Sequence, residues 1–252
     1  IPMLWIGQYL YPFGDDYVFG ANVYKTWNET HSFLDCIQSA WNVAMTMYHS
    51  WQGTYSACFL MALQPGVFGQ YWLGPIILIF SLMGSTYTLL YMVTRKLLHA
   101  SRLEYLFVST LFVIVTVQFT YSYYDAFYWY NGAMYYTLFY SLSLVLASLL
   151  IGYSKATTRT GQAIISVAAA ALAIVIAGGN FVSGLGSHTV HFDYRHANRT
   201  KEVATLPHSH PCHLRRGVCP ERVCPWQRLQ ASDRGKQAER NGRVLHGNRK
   251  KL

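Results

Sequence analysis

The chain has 252 residues, 52% hydrophobic and 16% aromatic, with only 12% charged. Soluble domains carry about 25% charged residues, so this composition excludes an ordinary soluble globule and marks a membrane protein. The formal net charge of +9 lies wholly in the last 66 residues, which hold fourteen Lys and Arg against five Asp and Glu; residues 1–186 hold six of each, so the hydrophobic part offers no basic surface for nucleic acid.

Ile1 to Tyr11 is apolar but covers only about half of the ~20 residues that a helix needs to cross a bilayer. It reads as the end of an incomplete first transmembrane helix; the alternative is a signal-peptide remnant, although no A-x-A-like cleavage site follows it. Directly after it come Gly14-Asp15-Asp16-Tyr17. Two adjacent carboxylates repel each other and have no evident packing purpose beside a membrane segment, so Asp15 and Asp16 are the candidate catalytic or metal-holding residues.

Residues 17–70 form a long, mostly uncharged segment. Within it Phe33, Ile37, Ala40, Trp41, Ala44, Met45 and Tyr48 recur at helical spacing, and Ser32 with Asp35 predicts an N-terminal cap. This amphipathic helix is either ordinary core or a helix lying at the membrane interface. Trp51-Gln52-Gly53-Thr54-Tyr55 then supplies a turn.

Four apolar runs follow: Tyr71 to Val93, Leu103 to Tyr121, Ala133 to Tyr153, and Gln162 to Gly179. The last is Ala-rich, which predicts close packing inside a bundle. Basic residues gather in segments 94–102 and 154–161, and the positive-inside rule makes those cytoplasmic, leaving 12–70, 122–132 and the Gly178 region on the extracytoplasmic side. The segment from Tyr121 to Tyr136 is crowded with aromatics around Asp125, Trp129, Asn131 and Gly132. An interfacial anchor and a substrate-lining loop are both open readings. The expected fold is all-α: a polytopic transmembrane bundle of about five helices, the first incomplete, with a long outer loop and an irregular tail.

Phe13-Gly14-Asp15-Asp16-Tyr17, Trp51-Gln52-Gly53-Thr54-Tyr55 and Phe127-Tyr128-Trp129-Tyr130-Asn131-Gly132-Ala133 occur here in the order and context in which similar segments occur in GT-C-type membrane glycosyltransferases. Residues 1–186 resemble that family, and in particular its uncharacterised bacterial polytopic members. The resemblance implies an integral protein of the bacterial cytoplasmic membrane that transfers a sugar from a polyprenyl-phosphate donor at the outer face. It also implies Asp15 and Asp16 as general base or as holders of Mg²⁺ or Mn²⁺, with Tyr17, Trp51, Gly53, Asp125, Trp129 and Asn131 lining the substrate site. Thr54 departs from the pattern, standing where a basic residue is expected, and Lys25 is the only base in that segment. A transporter or flippase component is the alternative, although its coupling residues would be expected inside the helices.

Residues 187–252 form a separate basic tail. His208, His210, Cys212, His213, Cys219 and Cys224 are ligand types without a zinc-site spacing, so no zinc is expected there; a solvated, low-order extension is one reading. A second comes from the genetic code. Read one base forward, the codons for Cys224-Pro225-Trp226-Gln227-Arg228-Leu229-Gln230 are compatible with A-P-G-N-A-x-R, a motif of the same family, and those from His188 are compatible with an apolar helix followed by bases. The tail is then a frameshift product and the chain an inactive partial enzyme. Sequencing the encoding DNA tests this: the next frame is expected to give a hydrophobic segment followed by A-P-G-N, and its absence removes the frameshift reading.

Overall fold

The computed structural model describes residues 2–180 and Ser183, so the tail beyond residue 186, with its histidines, cysteines and frameshift reading, lies outside the described residues. The chain divides into two units, Ile1–Thr205 and Leu206–Leu252, and every described residue belongs to the first. The regular elements among the described residues are all helices, the α-helices being α1 (Pro2–Ile6), α2 (Asp15–Thr30), α3 (Phe33–Ser50), α4 (Tyr55–Ala62), α5 (Leu73–Leu90), α6 (Arg102–Gln118), α7 (Tyr130–Ala133), α8 (Phe139–Lys155) and α9 (Arg159–Ala177). Wider π-type turns over Tyr91–Leu97 and Met134–Leu138 extend α5 and join α7 to α8. Among the described residues three continuous helices are long and apolar enough to cross a membrane: Leu73–Leu97, Tyr130–Lys155 and Arg159–Ala177. The run expected to Tyr121 ends as a helix at Gln118, after 17 residues, about a turn short of a full crossing.

The helix starts follow local chemistry. Ser32 Oγ accepts from the Asp35 backbone N–H at 3.4 Å, as its spacing predicts. Ser101 and Glu104 form a reciprocal capping box, with the Ser101 N–H donating to Glu104 Oε2 at 2.6 Å and the Glu104 N–H to Ser101 Oγ at 3.2 Å.

Contacts along the long helices fix their directions. The ring of Tyr130 lies on Gly74, and Met92 lies against Gly152, so α5 and α7–α8 run parallel, starts together and ends together. Between them in the chain, α6 runs back: Tyr105 packs its ring on Tyr87 and Tyr91, and the Tyr87 hydroxyl meets Thr110 Oγ1 at 2.8 Å. Helix α9 also runs back, finishing with Gly179 against the ring of Phe139. Arg95, Lys96, Arg102, Lys155 and Arg159 therefore collect at one end of the bundle, and Asp16, Asn131 and Gly178 at the other.

At the Asp16 end, α2, α3 and α4 pack as a small layer around Val23, Cys36, Ala40, Ala44, Ala57, Cys58 and Ala62, all fully or almost fully buried. The stripe on α3 is thus real but rotated from the expected one. Its small residues face inward and allow close helix contact, while Phe33, Trp41 and Tyr48 remain about half exposed. Helix α9 corrects the expectation of an interior position: only Ile176 of it is buried among the described residues. Its alanines lie at the edge of the bundle because α8 covers one side of the helix alone.

The end of α9 docks head-on against the start of α4. The Tyr55 hydroxyl donates to the Ile174 carbonyl and Ser56 Oγ to that of Val175, both at 2.5 Å, and the Ser56 N–H donates to the Gly178 carbonyl at 2.8 Å. Carbonyls in the last turn of one helix thereby meet hydroxyl and N–H donors at the start of another, and the Ile174 carbonyl also accepts the Gly178 N–H at 3.2 Å. Gly178 permits the approach, since a Cβ there would overlap ring atoms of Tyr55. Gly178→Ala is expected to cost about 1–3 kcal/mol and to lower the thermal midpoint by several degrees. Thermal unfolding of the chain in detergent measures this; an unchanged midpoint would show that the Tyr55 ring moves aside freely.

Candidate functional site: a buried carboxylate at the head of a spanning helix

Gly14 takes φ +52°, a backbone state that disfavours other L-residues, and so turns the chain into α2 with both acids in the first helical turn. Anions there oppose the partial positive charge of the helix start, which offsets their mutual repulsion. Consecutive helical positions diverge by about 100°. Asp15 accordingly stands exposed, whereas Asp16 is 1% exposed. The pair expected to have no packing purpose therefore splits into two roles, and Asp16 has a packing purpose.

Three donors converge on the Asp16 carboxylate. The Asn131 N–H donates to Oδ1 at 3.0 Å, and the Phe13 N–H and the Tyr71 hydroxyl donate to Oδ2 at 3.0 and 2.5 Å. Tyr71 in turn accepts from the Tyr130 N–H at 3.1 Å, and Gln64 Nε2 donates to the Asp16 carbonyl at 2.6 Å. Tyr130 and Asn131 open the spanning helix that ends at Lys155. Asp16 and Tyr71 together thus cap that helix from a distant part of the chain, satisfying two of its first free N–H groups with an anion and the hydroxyl it holds.

Burial pushes the Asp16 carboxyl above its ordinary value; the bonds from Tyr71, Phe13 and Asn131 restrain the rise, and the charge of Asp15 adds least to it. Burial, then the bond to Asp16, pushes the Tyr71 phenol far above the usual tyrosine range. Burial also raises the Cys36 and Cys58 thiols, which keeps them from serving as thiolate nucleophiles at neutral pH.

The remaining residues expected from the sequence are placed as follows. Tyr17 and Trp51 are exposed, the latter with its ring 6.2 Å from that of Phe19, one turn along α2 from Asp16. Gly53 adopts φ +69° in the turn before α4, and Gln52 Oε1 accepts from the Tyr135 hydroxyl at 3.3 Å. Asp125 is exposed, its N–H donating to Ser122 Oγ at 3.3 Å. Trp129 precedes the helix, its indole lying on Gly132, and Asn131 is 3% exposed. Thr54 is buried with its hydroxyl 3.6 Å from Cys58 Sγ, and Lys25 pairs with Glu29 at 3.9 Å on the surface of α2. The structure joins Asp16 directly to Asn131; Asp15, Tyr17 and Asp125 are exposed side chains, outside the buried network.

These residues do not fit a Mg²⁺ or Mn²⁺ ion shared by the two acids. Both Asp16 oxygens accept bonds from protein donors, Asp15 faces away, and no group of three or more His, Cys, Asp or Glu that could hold a metal occurs among the described residues. Tyr71 and Gln64 are the residues that sequence reasoning missed. Tyr71 reads only as the start of an apolar run, and its partner lies 55 positions away.

Tyr71→Phe removes one hydroxyl that serves two buried bonds, and is expected to destabilise the chain by about 1–3 kcal/mol. Denaturant titration checks this; an unchanged midpoint removes the capping role. Because the native Asp16 binds its proton more tightly than the unfolded one, its contribution to stability is fullest below the ordinary value of 3.8 and declines as pH rises through the raised native value. Thermal midpoints across that window are expected to fall with pH in the wild type, and this component should vanish in Asp16→Asn.

No family model, curated protein or solved structure matches the chain, so a functional reading rests on the site itself and on the sequence resemblance.

Proposed function

We propose that the chain belongs to an integral membrane glycosyltransferase of the bacterial cytoplasmic membrane, with residues 12–70 extracytoplasmic, acting on a polyprenyl-phosphate-linked sugar. The observation that carries this reading is the division of labour in the acid pair: Asp16 is buried and bonded at the head of a spanning helix, which leaves Asp15, its neighbour in the chain, as an exposed carboxylate in a fixed position. Supporting the orientation, the five bases of the long helices collect at the opposite end of the bundle.

In this reading Asp15 is the general base and Asp16 a positioning residue. The Asp15 carboxylate takes the proton from an acceptor hydroxyl as its oxygen attacks the anomeric carbon. The bond from that carbon to the lipid phosphate breaks, its electron pair leaving on the polyprenyl phosphate, and the sugar is transferred with inversion. Exposure suits Asp15 to the exchange of a proton with an incoming hydroxyl, a role for which the three-fold bonded Asp16 has no free geometry. The transport alternative is disfavoured by the helices themselves: the Asp, Glu, Lys and Arg side chains of the three spanning segments lie only near their ends, Arg95, Lys96, Lys155 and Arg159, where a coupled transporter would need them inside.

The test is sugar transfer from polyprenyl-phosphate donors by the full-length protein in lipid. Asp15→Asn is expected to lower kcat by about 10²–10⁴ without altering thermal stability, and Asp15→Glu to recover part of the loss. Transfer at the wild-type rate in Asp15→Asn removes the general-base assignment.

A further inference from the structure

The end of the bundle opposite Asp16 carries charge that the fold leaves unanswered. Arg95, Lys96, Arg102, Lys155 and Arg159 gather there from four helices, and among the described residues the one ion pair is that of Lys25 with Glu29 on α2. Glu104, the acid nearest to them in the chain, is taken up by the capping box, where it accepts from the Ser101 N–H at 2.6 Å. The turn that presents the bases is fixed by its own bonds. The Leu98 N–H donates to the Val93 carbonyl at 3.0 Å, the Ala100 N–H to that of Thr94 at 2.9 Å, and the Arg95 guanidinium to that of Ala100. The Lys96 ammonium lies 5.7 Å from the centre of the Tyr91 ring. Met92 rests against Gly152, so Arg95 and Lys155, each three residues beyond that contact on parallel helices, come to the same level.

We propose that this turn, together with Lys155 and Arg159, seats the headgroup of an anionic phospholipid in the cytoplasmic leaflet. The leucines select a lipid over a free phosphate. Leu98 and Leu103 are 70% and 79% exposed, between and beside the bases of the same turn. Bare leucines there are disfavoured in water and favoured where alkyl groups enter the acyl region while ammonium and guanidinium groups stay at the level of the phosphates. The positive-inside rule accounts for the sign of the charge at this end, but it calls for neither the leucines nor the bonds that fix the turn. The unpaired bases select the headgroup. A zwitterionic lipid brings a cation of its own to a site that already holds several, whereas an anionic one brings only the counter-charge, and a guanidinium can meet its phosphate with two bonds. The site goes beyond the transferase reading and is independent of it, since it lies at the other end of the bundle from Asp15.

Native mass spectrometry of the full chain in neutral detergent, titrated with dioleoylphosphatidylglycerol or dioleoylphosphatidylcholine, tests the seat. The anionic lipid is expected to bind about tenfold more tightly than the zwitterionic one and to be retained in excess inorganic phosphate. Lys96→Gln, Arg102→Gln and Lys155→Gln are each expected to weaken it about fivefold. Arg102→Lys, which keeps the charge, should hold most of the affinity and so guards against a folding defect, and Lys25→Gln, on α2, should bind as the wild type does. Equal affinity for the two lipids overturns the seat, as does displacement by phosphate, which would make it a free-anion site. Wild-type binding in all three glutamine variants would put the lipid on the basic tail instead, and an equal loss in Lys25→Gln would reduce the effect to net charge; either result overturns the proposal. No outcome depends on turnover, so loss of the seat leaves the Asp15 assignment untouched, and loss of that assignment leaves the seat.

Discussion

The carboxylate of Asp16 is the constraint on which the rest of the structure depends. It gathers the turn before α2, the approach to α5 and the head of the α7–α8 helix into one bonded unit. The arrangement answers a specific physical problem. A helix long enough to span a bilayer leaves free N–H groups at its start, and those of Tyr130 and Asn131 are buried, where an unpaired donor is costly. A fixed anion and the hydroxyl it orients resolve both, and the same anion occupies the first turn of its own helix. One side chain thus complements two helix dipoles. The cost is desolvation of a charge, visible as the raised proton affinity of the carboxyl.

A second junction, between the end of α9 and the start of α4, has the same logic without a charge. Carbonyls in the last turn of α9 receive donors from Tyr55 and Ser56, that of Ile174 in addition to the Gly178 N–H. Both junctions lie at one end of the bundle, and both connect the small α2–α4 layer to long helices. That layer uses alanine and cysteine alongside Phe19, Val23, Met61 and Val67, and Phe139 of α8 enters its core, so it is held to the bundle by apolar packing as well as by directional bonds at helix ends. An end built in this way is well defined in geometry, which is what a positioned carboxylate such as Asp15 requires.

Much of the fold was legible because its signals are local. Three of the four apolar runs at spanning length, the Ser32 cap and the turn at Gly53 each depend on a few neighbouring residues, and all are present. The acid pair was also visible, since adjacent carboxylates are conspicuous. What could not be read was which acid is buried. That depends on Tyr71 and Asn131, partners 55 and 115 positions away, and no periodicity connects them to Asp16. The stripe on α3 shows a related effect: the helical period was right, but the buried direction was set by how closely α2 and α4 approach, which favours Cys36, Ala40 and Ala44 over the aromatics. For α9, alanine content suggested an interior place, yet small residues permit close packing only where a second helix is present to pack. Among the described residues α8 is that neighbour and covers one side alone.

The distance in sequence between Asp16 and Asn131 also sets a timetable for synthesis. The 115 positions separating them take a ribosome roughly 6–23 s to add at about 5–20 residues per second, and the junction of Tyr55 with Ile174, 119 positions apart, closes later still. Through the later part of that interval the α2–α4 layer has the Phe13 and Tyr71 donors for its aspartate but lacks the Asn131 N–H that completes the set. The last bond to this carboxylate is thus the one that ties the early layer to the late helix, so the layer is joined to the head of α7–α8 only after the chain has passed Asn131.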